Sequence, residues 1–291
     1  MLEVMGTTLK YLFISMRPRQ WVKNLVLFAA LFFVKAFTDS EKVLLATEAF
    51  VLFCLASSAV YLFNDIVDLP KDREHPFKKL RPLAAGKINS LTATVAAVLS
   101  GAASILGGFY LNWWFGVTVV GYILLNIAYS LLLKKLIILD VFTIAIGFVI
   151  RVVAGAVAIS VPFSSWLILC TFFLTLFLAI NKRKSELVFN AASGNRSVLE
   201  NYSPAFLDQM SMVALSATII SYTFYTFSSE HSKLLMLTVP IVLYGLFKYL
   251  FIVNESRGAD DGPSDVFLRE PSLQLTVLIW LIATVLILVY R

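Results

Sequence analysis

Three aspartates, Asp65, Asp68 and Asp72, follow one another where a long apolar run meets a polar stretch. At about 3.6 residues per turn, their spacings of three and four place them on one face of a helix, with Asn64 and His75 beside them. Carboxylate oxygens suit Mg²⁺, which commonly accompanies a phosphorylated substrate. This acidic stripe (Asp65, Asp68 and Asp72) is therefore predicted to bind a metal ion in a catalytic site.

Basic residues follow the acidic stripe, and Lys78 and Arg81 are candidates for binding phosphate oxygens. Acids that hold a cation, next to bases that hold phosphate, form a diphosphate site. The alternative is a solvated loop whose acids pair with its own lysines. Asp65 directly follows the apolar pair Leu62-Phe63, and a carboxylate near the membrane boundary is costly without a function. We therefore favour the diphosphate site.

A second polar segment, from Asn181 to Glu186, follows another apolar run and contains Lys182 and Arg183. Lys182 and Glu186 are four residues apart, so a salt bridge within one helix is the alternative interpretation. In partnership with the acidic stripe, the segment offers phosphate-binding cations and one further carboxylate. We predict that Lys182, Arg183 and Glu186 bind substrate.

Residues 17–24 combine basic, amide and aromatic side chains at the entry to the first predicted span. On an α-helix, Gln20, Lys23 and Asn24 share one face at spacings of three and four. The alternative is a basic membrane entry anchored by Trp21. Because anchoring does not need Gln20 or Asn24, we predict that this face contacts a ligand.

Arg151 lies well inside an apolar segment, where a cation at the bilayer centre costs about 3 kcal/mol or more. It must face a polar interior, either as a ligand-binding residue or as a buried structural tie. Tyr129 and Lys134 stand at the end of the preceding apolar run. These three residues complete the predicted substrate-binding set.

The composition identifies the elements that must position these side chains. Of the 291 residues, 59% are apolar and 14% are charged, and the mean hydropathy is +0.84. These values predict an all-α polytopic membrane protein. The net charge of +6 indicates orientation and contact with anionic headgroups or phosphates, so no nucleic-acid partner is expected. Cys54 and Cys170 lie in apolar runs, which argues against a disulfide framework or a metal site.

A spanning helix needs about 20 mostly apolar residues. The sequence predicts about nine transmembrane helices, at 21–37, 43–63, 91–111, 113–133, 136–159, 163–180, 210–229, 234–253 and 272–290. The longest polar intervals, about 64–90 and 181–209, are too short for a soluble domain. We therefore predict a single integral membrane domain over residues 1–291, and a homo-oligomer is compatible with it.

Most of the 24 basic residues fall on the N-terminal side of this topology, which also carries both long polar loops. The positive-inside rule then predicts a multi-pass protein of the inner (plasma) membrane. The N-terminus, the acidic stripe and the 181–209 loop are expected to be cytoplasmic.

Taken in order, these motifs resemble the UbiA superfamily of intramembrane prenyltransferases, and within it the decaprenyl-phosphate phosphoribosyltransferase branch. The similarity extends from about residue 17 to residue 270. It rests on Arg17-Pro18-x-Gln20-Trp21-x-Lys23-Asn24, Asn64-Asp65-x-x-Asp68-x-x-x-Asp72, His75-Pro76-x-Lys78-x-x-Arg81-Pro82, Tyr129-Ser130-x-x-Leu133-Lys134, Leu139-Asp140-Val141, Arg151-x-x-Ala154-Gly155 and Lys182-Arg183-x-x-Glu186-Leu187. The resemblance implies a UbiA-like helical bundle.

The second loop departs from the superfamily members that use prenyl diphosphates, which resemble one another in a second aspartate-rich motif. Asn181 and Ser185 stand here at the corresponding spacing, and only Glu186 is acidic. Fewer acids and more cations fit a donor with more phosphate charge than a prenyl diphosphate. Phosphoribosyl pyrophosphate, which carries an extra 5-phosphate, is such a donor.

By this resemblance, the chain is expected to be an enzyme that transfers 5-phosphoribosyl from phosphoribosyl pyrophosphate to a membrane polyprenyl phosphate and releases diphosphate. The implied cofactor is Mg²⁺, held by Asp65, Asp68 and Asp72, while Asn64 orients a metal-bound water or the ribose. The implied ligands of the donor phosphates are Lys78, Arg81, Lys182 and Arg183. Lys23, Lys134 and Arg151 are expected at the acceptor or at the 5-phosphate.

Two other functions stay open at this point. One is prenyl transfer to an aromatic acceptor, which a second acidic loop would favour and the basic loop here disfavours. The other is a membrane transporter that uses the same intramembrane charges. Transporters commonly hold charges at the bilayer midplane in both halves, whereas most charges here crowd one membrane face and only Arg151 lies deep.

Overall fold

The computed structural model describes residues 2–189, 199–228, 233–255 and 263–289, and the regular elements within them are helices. Eight helical segments in these ranges are long and apolar enough to cross a membrane, which confirms the all-α, multi-pass membrane fold. The α-helices are α1 (Leu2–Ser15), α2 (Ala29–Phe33), α3 (Ser40–Val67), α4 (Leu69–Glu74), α5 (Ser90–Leu111), α6 (Trp113–Leu131), α7 (Leu139–Ala158), α8 (Ser165–Phe189), α9 (Pro204–Ser228), α10 (Val239–Glu255), α11 (Pro263–Arg269) and α12 (Pro271–Val289). Short 3-10 helices include Pro18–Phe28, Lys78–Leu80 and Leu133–Lys135.

The first predicted span, 21–37, is not a continuous α-helix. It consists of the 11-residue 3-10 helix Pro18–Phe28 followed by the 5-residue α2. Arg17 and Lys35, both with left-handed backbone, bound this segment. A 3-10 helix rises about 2.0 Å per residue and an α-helix about 1.5 Å, so the two pieces together extend about 30 Å. The segment is not among the eight described segments that are long and apolar enough to cross a membrane.

The described chain divides into two compact units, and one of the boundaries between them falls within α7. The first unit comprises the chain up to Lys134 together with Ile150–Pro162. Its core is aromatic where α3 meets α6: the ring of Phe53 lies 5.9 Å from that of Phe115 and 5.2 Å from that of Tyr122. All three side chains are buried, and burial of this kind fixes the register of α3 against α6.

The second unit comprises Lys135–Val149 and the chain from Phe163 onward. Helices α8 and α9 pack along each other and enclose a core that includes Phe177 and Leu207, both fully buried. The ring of Tyr249, on α10, lies 5.7 Å from that of Phe177. The predicted single domain over residues 1–291 stays a prediction.

The two predicted polar loops are more helical than expected. Residues 64–67 complete α3, and α4 follows after Asp68 with Pro70 in its first turn. The backbone N–H of Asp72 donates to the carbonyl of Asp68 at 2.9 Å, so the helical spacing continues across this break. In the second loop, α8 continues to Phe189. The part at 190–198 lies outside the described residues.

Candidate functional site

One guanidinium group joins two members of the acidic stripe. In the first unit, Nη1 of Arg81 donates to Oδ1 of Asp65 at 3.1 Å and to Oδ2 of Asp72 at 2.6 Å. Both carboxylates are buried, with exposures of 3% and 4%. Buried carboxylates are costly unless they are paired. Arg81 therefore offsets part of the cost of burying these two carboxylates.

A second guanidinium group, from Arg17, reaches the same carboxylate of Asp65 at 2.5 Å. Arg17 has left-handed backbone at φ 56° and precedes the 3-10 helix Pro18–Phe28. Its guanidinium carbon lies 5.0 Å from the ring centre of Tyr61, one helical turn before Asp65 on α3. Sequence reasoning did not select Arg17 as a site residue. Its place in the Arg17-Pro18 motif could have marked it as a site residue. Its partner could not have been found in this way, because Asp65 lies 48 positions away.

Asp68, the remaining member of the acidic stripe, pairs with a different cation. Nζ of Lys134 donates to Oδ1 of Asp68 at 2.6 Å. Ser130, one helical turn before Lys134, donates to Oδ1 of Asn64 at 3.1 Å. Tyr129 lies next to Ser130 and is half-buried. The predicted residues Asn64, Asp68 and Lys134 thus meet where α6 passes the end of α3.

Asp65 and Asp72 are the two carboxylates of the acidic stripe that share one partner, and their binding of a divalent cation stays a prediction. Both carboxylates accept hydrogen bonds from one nitrogen of Arg81, so a positively charged group already lies next to both of them. Hard carboxylate oxygens are the ligands that Mg²⁺ prefers. Within the described ranges, no group of three His, Cys, Asp or Glu side chains converges at metal distance. In the acidic stripe, Asp68 does not join Asp65 and Asp72, because its carboxylate faces Lys134.

The entry segment presents its polar residues on two faces, not one. At about three residues per turn, a 3-10 helix aligns every third side chain. Trp21, Asn24 and Leu27 accordingly face the protein, whereas Gln20 and Lys23 share another face and are half-buried. The predicted common face of Gln20, Lys23 and Asn24 is therefore wrong. The cause is the change of helix type.

Asn24 and Arg151 form a buried network in the first unit. Nε of Arg151 donates to Oδ1 of Asn24 at 2.8 Å, and its Nη2 donates to the hydroxyl of Tyr122 at 2.7 Å. The amide of Asn24 in turn donates to Ser57 and to the sulfur of Cys54. Arg151 is 5% exposed. This geometry matches the structural-tie alternative for Arg151, and its contact with a substrate stays a prediction.

The second unit contains a buried ion cluster on α7 and α8. Nε of Arg183 lies 2.9 Å from Oδ2 of Asp140, and its Nη1 contacts Oε2 of Glu186 one helical turn away. Arg183 is 2% exposed and its two carboxylate partners are also buried. A cation held in this way is not presented to an incoming phosphate. Its predicted contact with donor phosphate stays a prediction that this geometry disfavours.

Lys182 is the more accessible cation of this segment, with 37% of its side chain exposed. Its Nζ lies 3.9 Å from Oε1 of Glu186, which is the salt bridge at helical spacing that the sequence allowed as an alternative. Glu186 thus serves two cations, Lys182 and Arg183. In the first unit, Lys78 is half-buried in the turn that leads to Arg81.

Tyr202 is a residue of the ion cluster that sequence reasoning missed. Its hydroxyl donates to Oδ1 of Asp140 at 2.8 Å and accepts the backbone N–H of Ile138 at 2.6 Å. Burial raises the pKa of Tyr202 to about 12, so the hydroxyl keeps its proton at physiological pH. Nothing in the sequence pattern connects Tyr202 with a residue 62 positions earlier.

Asn181 occupies the position at which a second aspartate-rich motif would have its first aspartate. Its Nδ2 donates to the carbonyl of Phe177 and to Oγ of Ser211, both at 2.8 Å, and the residue is 1% exposed. The amide therefore ties α8 to α9.

Relatives of known name resemble this chain over nearly its whole length. A decaprenyl-phosphate phosphoribosyltransferase of Mycobacterium tuberculosis is 33% identical over 277 residues, which cover 93% of this chain and 91% of the relative. The protein of the same name from Mycolicibacterium smegmatis is 32% identical over 282 residues, covering 92% of this chain and 89% of the relative.

A solved structure shares the fold. The structure of a UbiA homologue from Archaeoglobus fulgidus bound to GPP and Mg²⁺ superposes with a TM-score of 0.74, at 18% sequence identity, over 96% of this chain and 99% of that one. The family model for the UbiA prenyltransferase family matches residues 25–269. Since the match includes the acidic stripe and both polar segments, the chain belongs to the UbiA prenyltransferase family.

Proposed function

We propose that this chain transfers the 5-phosphoribosyl group of phosphoribosyl pyrophosphate to a polyprenyl phosphate in the membrane and releases diphosphate. The observation that carries the proposal is the cluster at the end of α3, where three carboxylates meet three cations in the first unit. The names of the relatives at about 33% identity support this choice of substrates.

The cations of the cluster provide the chemistry for a diphosphate leaving group. Arg81 and Arg17 are bidentate-capable donors within reach of the carboxylate pair, and Lys78 lies in the same turn as Arg81. Guanidinium groups match the geometry of phosphate oxygens. Mg²⁺, when bound at Asp65 and Asp72, would neutralise charge on the departing diphosphate. Asn64 and Lys134 would then orient the ribose or the acceptor phosphate.

The bond changes are those of a glycosyl transfer. An oxygen of the polyprenyl phosphate forms a bond to the anomeric carbon of the ribose, and the bond from that carbon to the diphosphate oxygen breaks. The transition state resembles an oxocarbenium ion, and negative charge grows on the diphosphate. A phosphate acceptor is already ionised near neutral pH, so the reaction needs no strong base from the protein.

The proposal includes the place of the reaction. The basic residues of the sequence cluster on the side that carries the N-terminus and the acidic stripe. By the positive-inside rule, we propose a protein of the inner (plasma) membrane with a cytoplasmic active site, where a soluble sugar phosphate is available. Assembly as a homo-oligomer stays a prediction.

One assay separates this function from prenyl transfer. Purified protein in detergent with Mg²⁺ receives either radiolabelled phosphoribosyl pyrophosphate with polyprenyl phosphate, or radiolabelled prenyl diphosphate with 4-hydroxybenzoate. Label from the sugar in the lipid fraction of the first mixture, and no prenylated ring in the second, is the expected result. A prenylated ring without sugar transfer would replace the proposal by aromatic prenyl transfer. Product in neither mixture would favour transport or another non-catalytic role.

A further inference from the structure

His75 is a buried residue in an exposed stretch of chain. It is 6% exposed, whereas Phe77 and Leu80, close by in the sequence, are 63% and 75% exposed. Its ring nitrogen Nδ1 accepts two backbone hydrogen bonds, from the N–H of Phe77 at 3.2 Å and from the N–H of Lys78 at 3.3 Å. A nitrogen that accepts hydrogen bonds carries no proton, so the neutral ring is protonated at Nε2.

These two amides begin the 3-10 turn Lys78–Leu80. The first amides of a helical turn have no acceptor within the turn itself, and a side-chain acceptor just before it stabilises the turn. Within the turn, the N–H of Leu80 donates to the carbonyl of Phe77 at 3.1 Å, and the N–H of Arg81 donates to that of Lys78 at 2.9 Å. His75 therefore acts as the cap of a turn that ends at Arg81.

The turn is held at both ends. His75 fixes its start, and Leu83, 3% exposed and just after its end, belongs to the same buried cluster as Leu62. Between these anchors stand Lys78 and Arg81, and Arg81 bridges two carboxylates of the acidic stripe. The direction of both cations thus depends on a backbone that the His75 ring holds in place.

We propose that His75 is a positioning residue for the phosphate groups of the donor, which acts through Lys78 and Arg81 without touching the substrate. This inference rests on the proposed function, because it assigns those two cations to the donor. In this inference, the turn depends on Nδ1 as a hydrogen-bond acceptor and not on the charge or the size of the ring.

Two neutral substitutions separate the acceptor from the rest of the ring. Asn places an oxygen close to the position of Nδ1, so His75→Asn keeps the cap. Gln places its polar atoms near the position of Nε2, so His75→Gln loses it. Loss of two hydrogen bonds predicts a rise in KM for phosphoribosyl pyrophosphate of about tenfold or more in His75→Gln. His75→Asn should stay within about threefold of the wild type, and KM for the lipid acceptor should not change in either variant.

Trypsin cleavage of the folded full-length protein gives a readout that does not need turnover. Lys78 and Lys79 are cleavage sites in the turn, whereas Arg81 is protected by the following Pro82. His75→Gln should be cut at these two sites faster than the wild type and His75→Asn. If the wild type transfers no sugar, the cleavage comparison still tests the cap, so failure of the proposed function remains distinguishable. If His75→Gln does not fold, His75→Ala, which has no side-chain acceptor, replaces it in the comparison.

Three results would overturn the inference. The first is a His75→Gln variant with wild-type cleavage and wild-type KM for the donor. The second is faster cleavage with an unchanged donor KM, because the turn would then not serve the donor. The third is a His75→Asn variant as impaired as His75→Gln, because the ring and not its acceptor would then be required.

Discussion

The guanidinium of Arg17 lies 2.5 Å from the carboxylate of Asp65, although the two residues are 48 positions apart. Arg17 reaches this position because its backbone is left-handed, at φ 56°, and Pro18 begins the following 3-10 helix. The segment at residues 17–24 therefore contacts the acidic stripe and is not only a membrane anchor. This relationship gives the first prediction.

Arg17→Gln should lower kcat/KM for the sugar donor by about tenfold or more, because a charge-assisted hydrogen bond to a buried carboxylate is lost. Arg19→Gln is the matched control, since Arg19 lies in the same segment and is exposed. Steady-state kinetics of both purified variants measure the difference. Equal activity of the two variants would mean that the Arg17 contact has no part in the reaction.

Asp68→Asn should abolish sugar transfer and leave the protein folded, because the change keeps the size of the side chain and removes its charge. The control is Asp208→Asn, since Asp208 pairs with Lys184 in an exposed salt bridge and such pairs contribute little. Transfer assays and thermal unfolding in detergent measure both effects. Full activity of Asp68→Asn would mean that the pair of Asp68 and Lys134 has no part in the reaction.

Arg151→Met should destabilise the protein by about 2–4 kcal/mol, because buried groups of Asn24 and Tyr122 lose their partner. Lys248→Met is the control within another span: the ammonium of Lys248 lies 5.3 Å from the ring centre of Phe251 and forms no part of this network. Thermal unfolding in detergent is the measurement. Unchanged stability with a raised KM for a phosphate substrate would instead make Arg151 a ligand-binding residue.

Gly155→Ala should destabilise the first unit by about 1–3 kcal/mol or more. A Cβ atom at this position would lie 2.0 Å from the backbone oxygen of Leu27, so α7 and the 3-10 helix would have to separate. Gly121→Ala is the control, because a Cβ there meets nothing within 4 Å and alanine is the better helix former. Comparable unfolding temperatures for the two variants would show that the close approach at Leu27 is absent.

The sequence was sufficient for the membrane fold and for most of the acidic cluster. Apolar runs of spanning length are a direct consequence of the bilayer, so the positions of α3, α5, α6 and α12 could be read from hydropathy. The helical spacing of the aspartates predicted one face, and Asp65 and Asp72 do share a partner, whereas Asp68, at the break between α3 and α4, pairs with Lys134. Local patterns of this kind follow from backbone geometry alone.

Apart from the salt bridge between Lys182 and Glu186, which follows from helical spacing, the partners of the charged site residues could not be predicted. The α-helical period gave the wrong face for Asn24, since hydropathy does not distinguish a 3-10 helix from an α-helix. Arg183 was expected to meet phosphate, but Asp140 binds it from a position 43 residues earlier. Such pairings depend on how helices pack, and packing is set by side-chain shapes across the whole unit.

The most direct test of the account measures radiolabel carried from phosphoribosyl pyrophosphate into lipid extract. Purified wild-type protein with polyprenyl phosphate and Mg²⁺ should label the lipid. Chelation of the metal, or the substitution Asp65→Asn, should reduce that label to background. Unlabelled lipid in the wild-type reaction, or labelling that survives both chelation and Asp65→Asn, would contradict a phosphoribosyltransferase that works through these carboxylates.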